Sequence, residues 1–317
     1  MKKKHVFEAR VIKLFSIMPL SIVIGFAAAL SWLFCHLPLS VAKPYRIAML
    51  NIAVCFPQKS WHEARALARR AFIETAKTLA GYSHVWLRPV PETLARVDRV
   101  HGEEAWLAAL NDDRPILYLS LHQSSWEVPV LTLGQKDRAI IMYQPGGDSA
   151  LEDLVKEGRQ GTGCTLVPTN GDGVRAALEA MGRGGSLGLL ADHKPGGTAN
   201  PYAPFFGHDV MVPVFVYKVI QRYRPHVFFV SAQRSPDYRF EVWFESAAEM
   251  LEMNEAETMK AMNAGFERIV LRNPEQYQWT YKRFTRGSQG QRDWYKQSKV
   301  LLERLRKGEP SENIFVK

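Results

Sequence analysis

His122 and Glu127 stand in the stretch LSLHQSSWE with four residues between them, a histidine and a carboxylate at a spacing that can serve base catalysis. On one continuous helix, positions five apart lie roughly 140° around the axis and cannot share a hydrogen bond. At a strand-to-helix turn they can. His122 then ends the strand and Glu127 lies one turn into the helix, where its carboxylate holds the imidazole tautomer and stabilises the imidazolium. Such a pair is a general-base dyad that needs no side-chain nucleophile. The spacing alone favours a blander alternative, a loop histidine beside a solvated glutamate.

Three other patterns compete for the chemistry. Gly184-Gly185-Ser186-Leu187-Gly188 matches the G-x-S-x-G elbow of serine hydrolases, with Asp192 and His193 close behind. That elbow requires a strand before the serine and a helix after it, whereas Ser186 follows a helical pattern and opens a strand. Gly171-Asp172-Gly173-Val174-Arg175-Ala176 follows a strand and opens a helix, as a dinucleotide fingerprint does, yet Asp172 would oppose a pyrophosphate. His122, Asp192 and His193 could ligate a metal if their strand ends converged, but no H-x-x-x-H or H-E-x-x-H spacing supports it, and no metal is expected.

The elements that must position these residues are a βαβ series. Strand patterns run over 115–121, 139–143, 164–168, 186–191, 226–232 and 240–244, and helical patterns over 148–160, 172–182, 212–222 and 255–272. Alternation of this kind predicts an α/β fold with a mainly parallel central sheet flanked by helices, and ligands bind beyond the carboxyl ends of such strands. His122 and Asp192 both follow strands. Ser60-Trp61-His62-Glu63 reads as a capping box opening a helix over 61–80.

The 317 residues are 46% apolar and 23% charged, a globular composition. The net charge of +9 suits an anionic partner such as lipid headgroups, phosphates or an acidic protein. Residues 1–13 carry five basic side chains against Glu8 alone, which weakens a nucleic-acid reading. Cys35, Cys55 and Cys164 share no CxxC spacing and cannot all pair, which excludes a disulfide framework and suits a reducing compartment. Between Leu14 and Ala42 there is no Asp, Glu, Lys or Arg. This run predicts an N-terminal membrane-anchoring helix, since ~20 apolar residues cross a bilayer and the run is too long for a cleaved signal. Pro19, Gly25 and Pro38 also permit a kinked or monotopic insertion. The expected division is 1–42 as basic tail and membrane anchor and 43–317 as catalytic domain.

Read together, the anchor, RIAMLNIAVCFP (46–57), the H-x4-E box, MYQPGGDSALEDLVKEGRQGTGCTLVP (142–168), GLLADHKPGG with PFFG (188–207) and PEQYQWTYKRF (274–284) resemble the lipid A biosynthesis acyltransferases. These are the late lauroyl or myristoyl transferases of the lysophospholipid acyltransferase-like superfamily. The resemblance runs over essentially the whole chain. It implies His122 as general base toward an acceptor hydroxyl and Glu127 as its orienting carboxylate. It implies Arg159 as a contact to a phosphate or carboxylate of the acceptor, and substrate contacts at Asp192, Phe205, Phe206 and Gly207. Tyr277, Trp279, Tyr281, Lys282 and Arg283 match the C-terminal aromatic-basic box. Gln144 and His193 depart from the family pattern, where a basic residue and Gln are usual.

The implied donor is a fatty acyl thioester, of the acidic acyl-carrier protein in transient contact or of coenzyme A, with no cofactor. The acceptor is a membrane lipid, a precursor of lipid A in lipopolysaccharide biosynthesis, and the place of action is the inner membrane with the catalytic domain on its cytoplasmic side. Another membrane acceptor, an aryl polyene, a glycolipid or a lysophospholipid, would suit the same chemistry. A catalytically silent membrane-anchored binding protein is the alternative of a different class, and the intact H-x4-E box argues against it.

Overall fold

The structure, a computed structural model, describes residues 2–38, 42–145, 153, 158, 161–197, 199–285, 293–310 and 314. The chain forms two compact units, each assembled from segments distant in sequence: Met1–Gly25, Thr78–Ala191 and Phe215–Met253 in the first, Phe26–Lys77, Asp192–Val214 and Asn254–Lys317 in the second.

The first unit is built on a seven-stranded sheet. Its strands are β1 (Val97–His101), β2 (Ile116–Ser120), β3 (Ile140–Tyr143), β4 (Thr165–Pro168), β5 (Ser186–Leu190), β8 (His226–Arg234) and β9 (Phe240–Ser246), in the spatial order β1-β9-β8-β2-β5-β3-β4. Every neighbouring pair is parallel except β8 with β9. The predicted mainly parallel α/β sheet is therefore present. Its six predicted strands are β2, β3, β4, β5, β8 and β9. The added strand, β1, has the sequence VDRVH and is half-exposed at the sheet edge, so it lacks the apolar run that marks the others. Helices Gly171–Gly182 and Phe215–Tyr223 stand where helical patterns were read. The predicted helix over 148–160 lies outside the described residues apart from Asp153 and Gly158.

Central strand β2 is buried at Ile116, Leu117, Tyr118 and Leu119, as expected for a strand covered on both faces. Its one polar ring is satisfied in place. Trp106 Nε1 donates to Tyr118 Oη at 2.9 Å, and Tyr118 Oη donates to Asp137 Oδ2 at 2.6 Å. Burial pushes the Tyr118 phenol far above its ordinary pKa, so it stays a neutral donor.

The N-terminal expectation needs correction. The charge-free run does not form one bilayer-crossing helix: Lys2–Ile17 and Leu20–Phe34 are separate helices broken at Met18-Pro19. Pro19 has no N–H to give, and the residue before a proline is pushed out of the helical region. The second helix has 15 residues, about 22 Å at ~1.5 Å per residue against a hydrocarbon core of ~30 Å. Among the described residues no helix is long and apolar enough to cross a membrane. In the first unit the Met18 carbonyl freed by the break lies 3.0 Å from His84 Nε2, and Leu20 and Ile24 pack against the sheet's apolar core.

The second unit contains helices Lys43–Cys55, Glu255–Arg272 and Ser298–Arg306, the part of Trp61–Leu87 up to Lys77, and a hairpin of β6 (Tyr202–Phe205) and β7 (His208–Met211). The predicted capping box forms, with Ser60 N donating to Glu63 Oε2 at 2.8 Å and Glu63 N donating to Ser60 Oγ at 3.3 Å. A second box, Asn254 with Glu257, opens Glu255–Arg272.

Candidate active site

In the first unit, His122 sits two residues beyond β2, in the turn that leads into helix Glu127–Leu133. The helix begins at Glu127 itself, a turn later than the sequence suggested, because residues 122–126 form the turn. Ser124 bends it with a φ of 53°. A compact turn is how a histidine and a carboxylate five apart escape the opposite faces that a helix would give them. His122 is half-buried and Glu127 is 3% exposed. The His122 ring packs edge-on against Trp126, with centroids 4.8 Å apart. Trp126 in turn meets Tyr82 at 5.2 Å, and Tyr82 stacks on Trp86 at 4.8 Å. An aromatic wall therefore limits how the imidazole can turn. The sequence reading passed over two residues of this turn, Ser124 and Ser125. Each is 1% exposed, with a buried hydroxyl that has no hydrogen-bond partner among the described residues. The signal was the polar QSS run between two apolar elements.

Two of the three competing patterns, the serine elbow and the dinucleotide fingerprint, resolve on geometry. Ser186 pairs with Ile116, at the opposite end of β2 from His122, so it opens β5 far from the carboxyl end of the strands where that histidine stands. No nucleophile elbow forms. Gly173 is required by packing: a Cβ there would lie 1.8 Å from the Pro168 carbonyl oxygen, and the Asn170 side chain already caps the helix by accepting from Gly173 N at 3.0 Å. Asp172 is exposed beside Arg175. Gln144 accepts from Thr169 Oγ1 at 2.7 Å. Arg159 lies outside the described residues.

The second unit holds the remaining predicted residues. Asp192, 1% exposed, accepts from Tyr277 Oη at 3.1 Å. Burial, with the Asp192 charge adding to it, holds the Tyr277 phenol well above its ordinary pKa, so the ring remains a donor. Arg283 is also buried. Its Nη1 donates to Met211 O at 2.9 Å, its guanidinium lies 5.9 Å from the centre of the Phe205 ring, and burial lowers its pKa while Tyr277 and Asp192 raise it. His193 stacks on Tyr281 with centroids 3.6 Å apart, and Lys194 N donates to Tyr281 Oη at 3.1 Å.

The Phe-Phe-Gly motif has a local cause. Phe206 and Gly207 have φ of 48° and 77°, the pair of left-handed residues that a two-residue hairpin turn requires. A phenylalanine in that region is strained. It is held by Glu267, whose Oε1 accepts from Phe206 N at 2.7 Å, and by ring contacts to Phe56 and Trp279. Phe205, 1% exposed, is a core residue. Asn51, of the segment RIAMLNIAVCFP, joins the C-terminal box. Its Nδ2 donates to Trp279 O at 2.6 Å and Tyr281 O at 2.7 Å, and its Oδ1 accepts from Tyr295 Oη at 2.5 Å. The clue was one amide inside the apolar run MLNIAV.

Comparison with known proteins addresses what this arrangement serves. The sequence profile of the bacterial lipid A biosynthesis acyltransferases matches residues 5–286. The chain is 23% identical over 288 residues to the lipid A biosynthesis palmitoleoyltransferase of Escherichia coli (strain K12), covering 85% of this chain and 93% of that protein. It is 22% identical to the lauroyltransferase of the same strain, over 77% of this chain and 80% of the relative. To the myristoyltransferase it is also 22% identical, over 75% and 74%. These relatives share one biosynthetic route and differ in the acyl group they are named for. A match over nearly the whole length shows that the chain belongs to the bacterial lipid A biosynthesis acyltransferase family and is an acyltransferase of lipid A biosynthesis.

Proposed function

We propose that the protein moves a fatty acyl group from the thioester of an acyl-carrier protein to a hydroxyl of a lipid A precursor at the cytoplasmic face of the inner membrane, with His122 as general base. The observation that carries this reading is the strand–turn–helix placement of His122 and the buried Glu127. His122 takes the proton of the acceptor hydroxyl as its oxygen attacks the thioester carbonyl carbon. The tetrahedral intermediate collapses with cleavage of the C–S bond, and the imidazolium returns the proton to the leaving thiolate. The products are an ester and a free carrier thiol, so atoms and charge balance. Glu127 orients the imidazole and stabilises its charged form.

Arg159 serves a phosphate or carboxylate of the acceptor. Asp192, held by Tyr277, contacts the acceptor, and the turn at Phe206 and Gly207 keeps the aromatic cluster in place for it. The basic surface suits an acidic carrier protein.

Initial rates of purified variants on one acyl-carrier substrate test the assignment. His122→Ala is expected to lower turnover by ~10²–10⁴, the usual worth of a general base. That is about 3–5 kcal/mol of barrier. Glu127→Gln loses less, and Ser186→Ala keeps native activity. A silent His122→Ala with a native circular dichroism spectrum sinks the mechanism.

A further inference from the structure

The second unit carries a cationic cavity that none of the assigned residues uses. It encloses about 410 Å³ and is lined by Arg46, Arg65, Lys299 and Arg306 against a single carboxylate, Glu303. Lys299 and Arg306 project from helix Ser298–Arg306 and are exposed, as is Arg65. Leu302 and Trp61 form apolar wall between the charges, and Leu37 stands at the rim. Glu303 pairs with Arg306 at 3.8 Å, and the basic side chains that outnumber it in this concave site favour an anionic ligand.

Two further observations say what kind of anion fits. Phe26, Leu30, Leu33 and Leu37 are each 42–59% exposed and follow one another at steps of four, three and four, which places them on one face of the helical segment. Leu37 extends that face beyond Phe34 because its N–H bonds the Phe34 carbonyl at 3.1 Å. The stripe therefore ends at the rim of the cavity. Trp32 is exposed on the same segment and lies 4.2 Å from the His36 ring, which also lines the cavity. An apolar stripe beside basic side chains with an amphipathic indole at the boundary is the arrangement of a helix lying in a membrane interface. The opposite side of this segment is occupied, with Phe34 stacked on Phe72 at 5.5 Å and Cys35 buried. Burial pushes the Cys35 thiol up to about 11, and Arg69 and Arg65 pull it back down, so the wall lies in a positive field.

We infer that this cavity is a binding site for the phosphate of an anionic membrane phospholipid, taken while the Phe26–Leu37 face rests among the acyl chains. Guanidinium groups suit phosphate because their forked donors meet two oxygens at once. A concave site of this size takes a headgroup, whereas docking of an acidic protein asks for a broad basic face.

Sedimentation of the full chain with vesicles tests the inference without any turnover, so its failure leaves the acyl-transfer reading untouched. The probes are vesicles of phosphatidylcholine alone and of phosphatidylcholine mixed with phosphatidylglycerol. The native protein is expected to prefer the mixed vesicles. Lys299→Gln with Arg306→Gln lowers affinity for them roughly ten- to thirty-fold at low salt, given the usual worth of a basic side chain near an anionic surface. Both positions are exposed, so the fold is kept, and Arg65→Gln is a second independent variant. Lys136→Gln with Arg138→Gln, which removes the same charge from an exposed site in the first unit, leaves binding unchanged. Leu30→Gln with Leu33→Gln weakens binding to both vesicle types. Three results overturn the inference: an equal loss in the Lys136/Arg138 control, a native preference for mixed vesicles in the Lys299/Arg306 variant, or loss only of acyl-carrier protein capture by that variant.

Discussion

At the scale of single residues, the second unit's predicted site is held by polar groups removed from water. Tyr277 gives its hydrogen to Asp192, and both side chains are almost fully covered. A buried carboxylate that loses a donor keeps its desolvation cost without the compensating bond. Tyr277→Phe is therefore expected to lower unfolding stability by about 1–3 kcal/mol while leaving ring packing intact. Urea denaturation of the variant beside the native chain measures it. A change within a few tenths of a kcal/mol would mean that the Tyr277 hydroxyl contributes nothing to holding Asp192.

At the scale of elements, the break between Lys2–Ile17 and Leu20–Phe34 is held by an imidazole. His84 faces the Met18 carbonyl with Nε2 and the Ser83 hydroxyl with Nδ1. Burial lowers its pKa below the ordinary 6.5, Arg88 and Arg96 lower it further, and the Met18 bond and Glu92 oppose this. Since the folded pKa lies below the unfolded one, the unfolded chain binds more protons in the window beneath 6.5. Stability is then fully present above 6.5 and is lost as pH falls through and below it. Denaturant midpoints taken at about pH 7.5 and about pH 5.5 bracket that window. The native chain should lose more stability on acidification than His84→Gln, which cannot charge. Equal losses would remove His84 as a cause.

At the scale of the whole molecule, the N-terminal helices are structural. Val23 is 1% exposed, Leu20 and Ile24 pack on the first unit's core, and in the second unit Cys35 is buried and Phe34 stacks on Phe72. An anchor that could be cut away cleanly would make no such contacts. Burying one large aliphatic side chain is worth ~1.5–3 kcal/mol, against a total stability of ~5–15 kcal/mol. Deletion of residues 1–42 is thus expected to abolish cooperative unfolding or lower Tm by well over ~10 °C, read by thermal scans and near-ultraviolet circular dichroism. A truncated chain that melts like the native one would show these helices to be peripheral.

What could be read without coordinates was local. Six of the seven sheet strands announced themselves as apolar runs, because a parallel strand covered on both faces has little room for polar residues. The His122–Glu127 turn was legible because strand end, turn and helix start lie within a few consecutive residues. β1 escaped because an edge strand tolerates charge. The break at Pro19 was written in the sequence as a permitted kink, but whether the run stays one helix depends on what meets the freed Met18 carbonyl, and that partner lies 66 residues away. The bonds that knit the second unit span greater separations still: 85 residues for Tyr277 to Asp192, 228 for Asn51 to Trp279 and 244 for Tyr295 to Asn51. Side chains so far apart in the chain meet only when packing brings them together, and no periodicity or spacing encodes such a meeting. Composition and pattern therefore settled the sheet and the turn that carries His122 and Glu127, while the fold alone decided which buried polar groups answer one another.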